Sequence, residues 1–360
     1  MHSLTAMCLG SLAHLYGAVT SARNWLYDMK LLPIYRSKLR VISVGNLSAG
    51  GTGKTPLTIL LAKTLRAQGW NVVIVARGYR RQKKGLVIVS DGRQILADIF
   101  AAGDEPLLLA HACAGIPVVV DEQKKVAAAA AVEKFSPDII LVDDGFQHRQ
   151  LQRDLDVVRL DARMPLSNLW WFPAAPLREP ASSLRRADFV ILNTGGENQT
   201  PALAAHCRRF TAAKIFSGTL QARGWRELAD SAQKLWPPAF VKDQPAMLVS
   251  GIARPERFRE MVEKLGARLV STLQFRDHHA YRENDLAAIE STRKARGARY
   301  ILTTSKDAGK LAARREAATT PFLILETAFA METAFFPAFL AAVRAQMRRR
   351  KVAAVSCKKT

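Results

Sequence analysis

Residues 41–56 (VISVGNLSAGGTGKTP) constrain the fold of this chain more than any other stretch. An apolar, β-branched run predicts a buried strand, and a glycine-rich turn, the pair Lys54-Thr55 and a helical segment follow it. Glycines in such a turn let backbone N–H groups converge on phosphate oxygens, the lysine reaches the outer phosphates, and the threonine hydroxyl ligates Mg²⁺. The segment therefore predicts a site for a nucleoside triphosphate, although not what the chain does with it.

Ser48 stands where the strict pattern GxxxxGK[ST] has its first glycine. A glycine-rich turn with a chance lysine is the alternative, and the strand before the turn and the helix after it argue against it. The residues assigned to nucleotide binding are Ser48, Ala49, Gly50, Gly51, Thr52, Gly53, Lys54 and Thr55.

Strand and helix patterns alternate along most of the chain. Apolar runs at residues 40–44, 71–76, 117–121 and 139–144 predict strands, and helical patterns separate them. Such a βαβ series predicts an α/β fold with a P-loop NTPase-like, mostly parallel sheet and helices on both faces.

Changes in composition divide the chain into four parts. Residues 195–201 (GGENQTP) are polar and loop-like, and the strand–helix alternation resumes after them. We expect an N-terminal amphipathic, membrane-associated helix over residues 1–32 and a P-loop core domain over residues 33–210. A smaller C-terminal α/β domain over residues 211–345 would act as a lid, and residues 346–360 would form a basic tail.

The net charge of +22 is unusual for a folded chain of 360 residues. It indicates a polyanionic partner, which could be nucleic acid, an anionic membrane surface or a phosphorylated substrate; part of it could also serve solubility alone. The four cysteines form no CxxC pair, so they indicate neither a zinc site nor a disulfide framework, and a reducing compartment fits.

The first thirty residues predict a helix with an apolar stripe. No Asp, Glu, Lys or Arg occurs from residue 3 to residue 22, apolar side chains recur at helical spacing, and Arg23, Trp25 and Lys30 follow. This pattern suits a helix that lies in a membrane interface, and it equally suits a helix packed on the protein's own core.

Two pairs of acidic residues are candidates for binding Mg²⁺ or for lying near an acceptor hydroxyl. Asp143 and Asp144 end an apolar strand, as the carboxylate of a Walker B strand does, although Asp-Asp-Gly could also be a surface turn. Asp104 and Glu105 open a helix, where acids often serve only as caps. The predicted metal ligands are Thr55, Glu105, Asp143 and Asp144.

Two further segments carry candidate catalytic side chains. Arg178 follows an aromatic, proline-rich stretch and could stabilise charge on a transferred phosphoryl group, or it could be a solvated arginine of a structural loop. His278 lies beside Asp277 and His279, a grouping that suits acid–base work, although histidine pairs are more often structural.

Taken together, seven ordered segments resemble the tetraacyldisaccharide 4'-kinase family of lipid A biosynthesis in Gram-negative bacteria. The segments are residues 43–56, 76–79 (ARGY), 103–106 (GDEP), 142–148 (VDDGFQH), 176–179 (PLRE), 251–258 (GIARPERF) and 277–278 (DH). The family shares the missing first glycine of the loop. A late Thr-Glu-Lys-Asp segment of the family stands here as Thr304-Ser305-Lys306-Asp307, which puts in doubt any contact from position 305.

The resemblance implies phosphorylation, by ATP with Mg²⁺, of the 4'-hydroxyl of a tetraacyldisaccharide 1-phosphate. It implies that Asp104 acts with His278 in deprotonating the acceptor, that Glu105 lies near the metal, and that Lys54 and Arg178 act on phosphates. The partners it implies are the acylated disaccharide phosphate and an anionic membrane, at the cytoplasmic face of the inner membrane. We expect no nucleic acid, and no obligate protein partner is evident from the sequence.

Two rival functions differ in what they predict. A regulatory P-loop ATPase of the partitioning or metal-chaperone type also has a GGxGKT loop, but such loops generally place a lysine where Ala49 stands here. A nucleic-acid-binding NTPase is suggested by net charge alone, and it predicts that oligonucleotides stimulate ATP turnover with steep salt dependence.

Overall fold

The computed structural model describes residues 2–48, 53–161, 177–194, 200–229 and 234–356. Its strands are β1 (Arg40–Asn46), β2 (Val72–Ala76), β3 (Val87–Ser90), β4 (Val118–Val120), β5 (Ile139–Asp143), β6 (Leu155–Asp161), β7 (Phe189–Asn193), β8 (Lys214–Glu227), β9 (Pro245–Ser250), β10 (Arg268–Gln274), β11 (Tyr300–Thr304) and β12 (Phe322–Met331). Its helices are α1 (His2–Asp28), α2 (Lys54–Ala67), α3 (Ile99–Ala102), α4 (Asp104–Ala112), α5 (Lys124–Phe135), α6 (Thr200–Arg208), α7 (Pro255–Lys264), α8 (Glu283–Ala295), α9 (Ser305–Ala312) and α10 (Phe335–Ser356).

These strands form one twelve-stranded sheet in the order β10-β9-β11-β12-β8-β7-β6-β1-β5-β2-β4-β3. Neighbouring strands are parallel except at β3–β4 and β8–β12. The predicted α/β fold with a mostly parallel sheet is confirmed.

Both faces of the sheet are covered, as a parallel sheet requires. Ile42 on β1 packs in one core cluster with Leu57 of α2, whereas the adjacent Val41 packs in another with Ala127 of α5. Successive residues of a strand point to opposite faces, so a continuous apolar run reads as a strand buried on both sides.

The sheet continues from the predicted core domain into the predicted lid domain through β8. The first residues of β8 pair in parallel with β7, and the remainder pairs antiparallel with β12. Phe335 and Phe339 of α10 return to the core cluster that contains β1 and α2. The division into domains near residue 210 stays a prediction, and α10 joins residues on either side of it.

From residue 12 onward, where side-chain burial is described, helix α1 packs on the body of the protein by one face. Ala13, Thr20 and Tyr27 are buried, while Leu15 and Val19 are 62% and 61% exposed. The sequence left open whether this helix packs on the protein's own core or lies in a membrane interface. In the structure, one face packs on the protein and apolar side chains of another face are exposed. Among the residues that the structure describes, no helix has the length and hydropathy needed to span a membrane.

Candidate active site

A cleft of about 1340 Å³ lies at the carboxyl ends of the central strands. Its walls come from the start of α2, the ends of β2 and β5, the start of α4, α7 and the start of α9, and α1 contributes Tyr16 and Arg23. Open α/β sheets bind ligands at this edge, so the residues lining the cleft are the candidates for the chemistry.

Lys54 and Asp144 face each other at the base of the cleft. Lys54 begins α2, directly after Gly53, whose φ of 72° is a left-handed conformation that glycine adopts without strain. The Lys54 Nζ is 2.6 Å from a carboxylate oxygen of Asp144 and 3.3 Å from Oδ1 of Asn46. Arg178 approaches the other Asp144 oxygen at 3.0 Å, so two cations share one carboxylate.

These neighbours keep the Asp144 carboxyl ionised. Burial opposes its ionisation, but Lys54, Lys124 and Arg178 outweigh burial and keep the pKa of this carboxyl well below its usual range. The carboxylate is therefore fully ionised at neutral pH, and it is the group that aligns Lys54 and Arg178 on one side of the cleft.

Asp143 has the opposite electrostatic situation. Its carboxylate is buried and accepts a hydrogen bond of 2.6 Å from the Thr58 hydroxyl of α2. Burial, with the negative charges of Glu105 and Asp144, raises the pKa of Asp143 to about 6. Three carboxylates thus repel each other at the end of β5, and a divalent cation would relieve this repulsion.

The donor set here fits a hard cation such as Mg²⁺, which prefers oxygen ligands. Thr55 is buried and lines the cleft beside Asp143, Asp144 and Glu105. Within the described ranges no three His, Cys, Asp or Glu side chains are arranged to hold a metal by themselves. Mg²⁺ commonly keeps several waters and binds through few carboxylates together with substrate phosphates, so this donor set suffices.

Lys124 is a functional residue that the sequence reasoning missed. It is fully buried at the start of α5, and its Nζ donates to the backbone carbonyl of Asp143 at 2.6 Å and also to that of Asp144. Burial lowers its pKa to about 8, while Asp144 and Asp143 oppose that effect. Lys124 therefore fixes the turn that presents both carboxylates.

Asp104 and His278 come together from distant parts of the chain. Asp104 begins α4 and His278 lies in the loop after β10, and their Oδ2 and Nδ1 atoms are 2.8 Å apart. Burial opposes ionisation of Asp104, but the His278 hydrogen bond and Lys306 outweigh it and lower the pKa of Asp104. An ionised Asp104 accepts a hydrogen bond from Nδ1–H, so Nε2 is the ring nitrogen left to act as a base.

Lys306, at the start of α9, contacts both members of the Asp104–His278 pair. Its Nζ is 3.2 Å from Nε2 of His278, 3.1 Å from Oδ1 of Asp277, 3.7 Å from Oε1 of Glu105 and 4.0 Å from Oδ2 of Asp104. Burial opposes its charge, but Glu105, Asp104 and Asp277 raise its pKa. The sequence reasoning noted the segment around Lys306 only for its departure at Ser305.

The described predicted site residues therefore form two neighbouring groups. One group holds Lys54, Thr55, Asp143, Asp144 and Arg178, and the other holds Asp104, Glu105 and His278. Ser48 is buried and forms a β-bridge with Leu177, which places Arg178 next to the loop. The predicted nucleotide-binding residues Ala49, Gly50, Gly51 and Thr52 lie outside the described residues.

Comparison with known proteins connects this site to one family. Residues 5–346 match the family model described as Tetraacyldisaccharide-1-P 4'-kinase. A tetraacyldisaccharide 4'-kinase of Syntrophus aciditrophicus (strain SB) is 42% identical over 301 residues, which cover 81% of this chain and 80% of that relative. One of Halothermothrix orenii is 36% identical over 315 residues, covering 84% of this chain and 82% of the relative.

A crystal structure has the same fold as this chain. It is LpxK from Aquifex aeolicus in an "apo" form in complex with ATP, with a TM-score of 0.75, 29% sequence identity, and coverage of 94% of this chain and 99% of that one. The resemblance carried by the seven sequence segments is thereby confirmed. This chain belongs to the tetraacyldisaccharide 4'-kinase family.

Proposed function

We propose that this chain transfers the γ-phosphoryl group of ATP to the 4'-hydroxyl of a tetraacyldisaccharide 1-phosphate. The observation that carries the proposal is the pairing of Asp104 with His278, which lines the same cleft as Lys54. A phosphate-binding loop and an acid–base pair in one cleft are the parts that transfer to a sugar hydroxyl requires.

The nucleotide phosphates are proposed to lie over the start of α2. Lys54 and Arg178 both contact Asp144 in this structure, and phosphate oxygens are expected to take over part of those contacts. Thr55, Glu105, Asp143 and Asp144 would hold Mg²⁺, which when bound neutralises charge on the phosphate oxygens. Arg178 then lies where it can stabilise negative charge on the transferred group.

The acceptor hydroxyl is proposed to lose its proton to His278. Asp104 holds the imidazole by its Nδ1 proton and stabilises the imidazolium that forms, so Nε2 is the atom that takes the proton. Lys306 donates to the same Nε2 and has to give way to the sugar hydroxyl. Its neighbours Asp277 and Glu105 can hold the displaced ammonium group.

The acylated substrate is proposed to reach the cleft from the membrane surface along α1. The exposed apolar side chains Leu15, Val19 and Trp25 form a stripe that suits an interfacial helix, and Tyr16 and Arg23 of the same helix line the cleft. The net charge of +22 attracts the chain to anionic lipid. The proposed location is therefore that of a peripheral enzyme at the cytoplasmic face of the inner membrane.

The regulatory ATPase alternative gives the Asp104–His278 pair no task. The family match over residues 5–346 includes both residues, which argues for the kinase.

Acceptor dependence tests the proposal. Purified protein is given ATP and Mg²⁺ with and without detergent-solubilised tetraacyldisaccharide 1-phosphate, and ADP is measured. We expect ADP release to depend on the acceptor and to vanish in Lys54→Ala. Equal ATP turnover without the acceptor would instead support the regulatory ATPase.

A further inference from the structure

Arg159 on β6 is a buried charge without an adequate partner. Its side chain lines the cleft and the residue is 2% exposed. Within the described part of the chain, its Nε and Nη1 atoms make no hydrogen bond. Buried charges in proteins are normally paired and hydrogen-bonded. Two N–H donors without a hydrogen bond on one buried guanidinium therefore require an explanation.

The position of Arg159 is set by the sheet. It is in register with Asn46 on the parallel neighbour β1, and Asn46 accepts a hydrogen bond from Lys54. The guanidinium carbon lies 3.4 Å from where a Cβ on Gly53 would stand, and it lies over the ring of Phe329 at 5.3 Å from the centroid. Arg159 is thus fixed against the residue that precedes Lys54, at the N-terminus of α2.

The charges around Arg159 leave a local excess of positive charge. Asp161 is the nearby carboxylate, and it already pairs with Arg254 at 2.9 Å and with Arg257. Burial lowers the pKa of Arg159 to about 9, Arg257 and Arg254 add to this, and Asp161 opposes it. Three guanidinium groups face one carboxylate on a cleft wall, and Arg159 stays protonated at neutral pH.

We propose that the Arg159 guanidinium donates hydrogen bonds to phosphate oxygens of the bound nucleotide and is a positioning residue for its polyphosphate chain. Phosphate is the anion that a guanidinium recognises best, and the adjacent helix N-terminus favours the same charge. The proposal rests on the nucleotide site proposed above. A phosphate of the lipid substrate shares this chemistry, but Gly53 and Lys54 place Arg159 on the nucleotide side of the cleft.

The test measures the Kd for ADP by calorimetry in four proteins: wild type, Arg159→Met, Lys54→Ala and Arg296→Met. Methionine keeps much of the packing on Phe329 but removes the charge, and Arg296 is an exposed control at the end of α8. A charge-assisted hydrogen bond in a buried site corresponds to roughly 10- to 100-fold in Kd. We expect such a rise for Arg159→Met, none for Arg296→Met, and less than a twofold change in KM for the lipid disaccharide.

The outcomes separate the two proposals. An ADP Kd within twofold of wild type in Arg159→Met, with at least tenfold weakening in Lys54→Ala, overturns the role of Arg159 and leaves the nucleotide site standing. Unchanged ADP binding in both variants overturns the nucleotide site itself. A raised KM for the lipid with unchanged ADP binding would assign Arg159 to the lipid phosphate and overturn the proposal.

A second variant, Arg159→Lys, tests the proposal if Arg159→Met does not fold properly. Arg159→Lys keeps the charge but loses the planar donor arrangement, so we expect a Kd for ADP between those of wild type and Arg159→Met. A merely structural role predicts a lower unfolding temperature of the nucleotide-free protein with the same ADP-induced increase as wild type. Our proposal predicts a smaller ADP-induced increase.

Discussion

At the scale of single residues, Asp104 has the most specific task. It orients His278 through the 2.8 Å hydrogen bond, and its pKa is lowered, so it is ionised at neutral pH. We expect Asp104→Asn to lower kcat by about 10²- to 10⁴-fold, the range of general acid–base catalysis, and to leave the Kd for ADP within about twofold. Steady-state kinetics with the lipid acceptor, together with ADP titration, measure both quantities.

His279 and Asp285 provide a matched control for that variant. They form a similar pair at 2.9 Å, at the start of α8 and away from the cleft lining. Asp285→Asn should lower stability by about 1 kcal/mol through the helix cap and leave kcat unchanged. Equal kcat values for wild type and Asp104→Asn would contradict the role of Asp104.

The raised pKa of Asp143 predicts how the stability of the folded protein depends on pH. Its pKa in the folded state is about 6, above the ordinary 3.8, so the folded protein keeps this proton where the unfolded chain has lost it. The contribution of Asp143 to stability is therefore complete below about pH 4 and is lost as the pH rises through 6. Asn at this position removes the charge without changing the shape.

We therefore expect nucleotide-free Asp143→Asn in EDTA to be more stable than wild type by roughly 3 kcal/mol at pH 7, and equal to it near pH 4. Urea unfolding at the two pH values measures the difference. A variant less stable than wild type at pH 7 would show that the carboxylate is already compensated in the folded protein.

Short motifs made part of the site predictable. Lys54, Asp143, Asp144 and Asp104 occur in local patterns whose chemistry can be read from a few neighbours. Lys306 and Lys124 could not be found in this way, because their partners lie at other places in the chain. A lysine at a helix start is ordinarily solvated, and only the packed sheet shows that Lys124 is buried and Lys306 half-buried beside carboxylates.

At the scale of elements, Gly45 on β1 fixes how closely the β5 turn approaches. A Cβ there would lie 2.5 Å from Cβ and 2.9 Å from N of Phe146. We expect Gly45→Ala to cost roughly 1–3 kcal/mol of stability and to lower kcat, because it pushes the turn with Asp143 and Asp144 away from Lys54.

Gly309 on α9 serves as a control for Gly45, because a Cβ added at Gly309 fits without a clash. A Cβ there meets Ile99 at 3.4 Å and Leu107 at 3.5 Å, which is ordinary contact, and the helix allows alanine. Gly309→Ala should therefore raise the free energy of unfolding by about 0.5–1 kcal/mol. Urea denaturation compares both variants, and a stable, fully active Gly45→Ala protein would contradict the close-approach argument.

Helix α1 predicts how the protein meets a membrane. Leu15 and Val19 are mostly exposed, so changing both to glutamine should leave folding intact. We expect the double variant to sediment less with anionic liposomes, since binding scales with buried apolar area. The control is Leu235→Gln, which changes an exposed leucine remote in sequence from α1. Undiminished binding would indicate that the basic surface alone is the anchor.

Some strands could be predicted from the sequence and others could not. The βαβ series from β1 to β5 followed from apolar runs between turn residues, because each strand is buried on both faces. The long strand β8 was missed, since most of its residues are only partly buried and show no regular alternation, and its partners are β7 and the later β12. Strand pairing over such distances depends on the whole sheet, which no local pattern records.

At the scale of the whole molecule, one sheet carries both walls of the cleft. The strands after residue 210 belong to the predicted lid domain, and β8 and β12 join them to the central sheet while α10 packs back beside α2. Any closure of the cleft would therefore bend or twist this shared sheet. The loop of Lys54 and the pair of Asp104 and His278 are brought together only by this arrangement.

The measurement that tests the central claim most directly is identification of the product by mass spectrometry and NMR. Wild-type protein is incubated with ATP, Mg²⁺ and tetraacyldisaccharide 1-phosphate, beside Lys54→Ala. We predict a disaccharide that carries one additional phosphate, bound at the 4' oxygen, from wild type alone. Folded wild-type protein that binds ATP and leaves the disaccharide unphosphorylated, or that phosphorylates another position, would contradict the account.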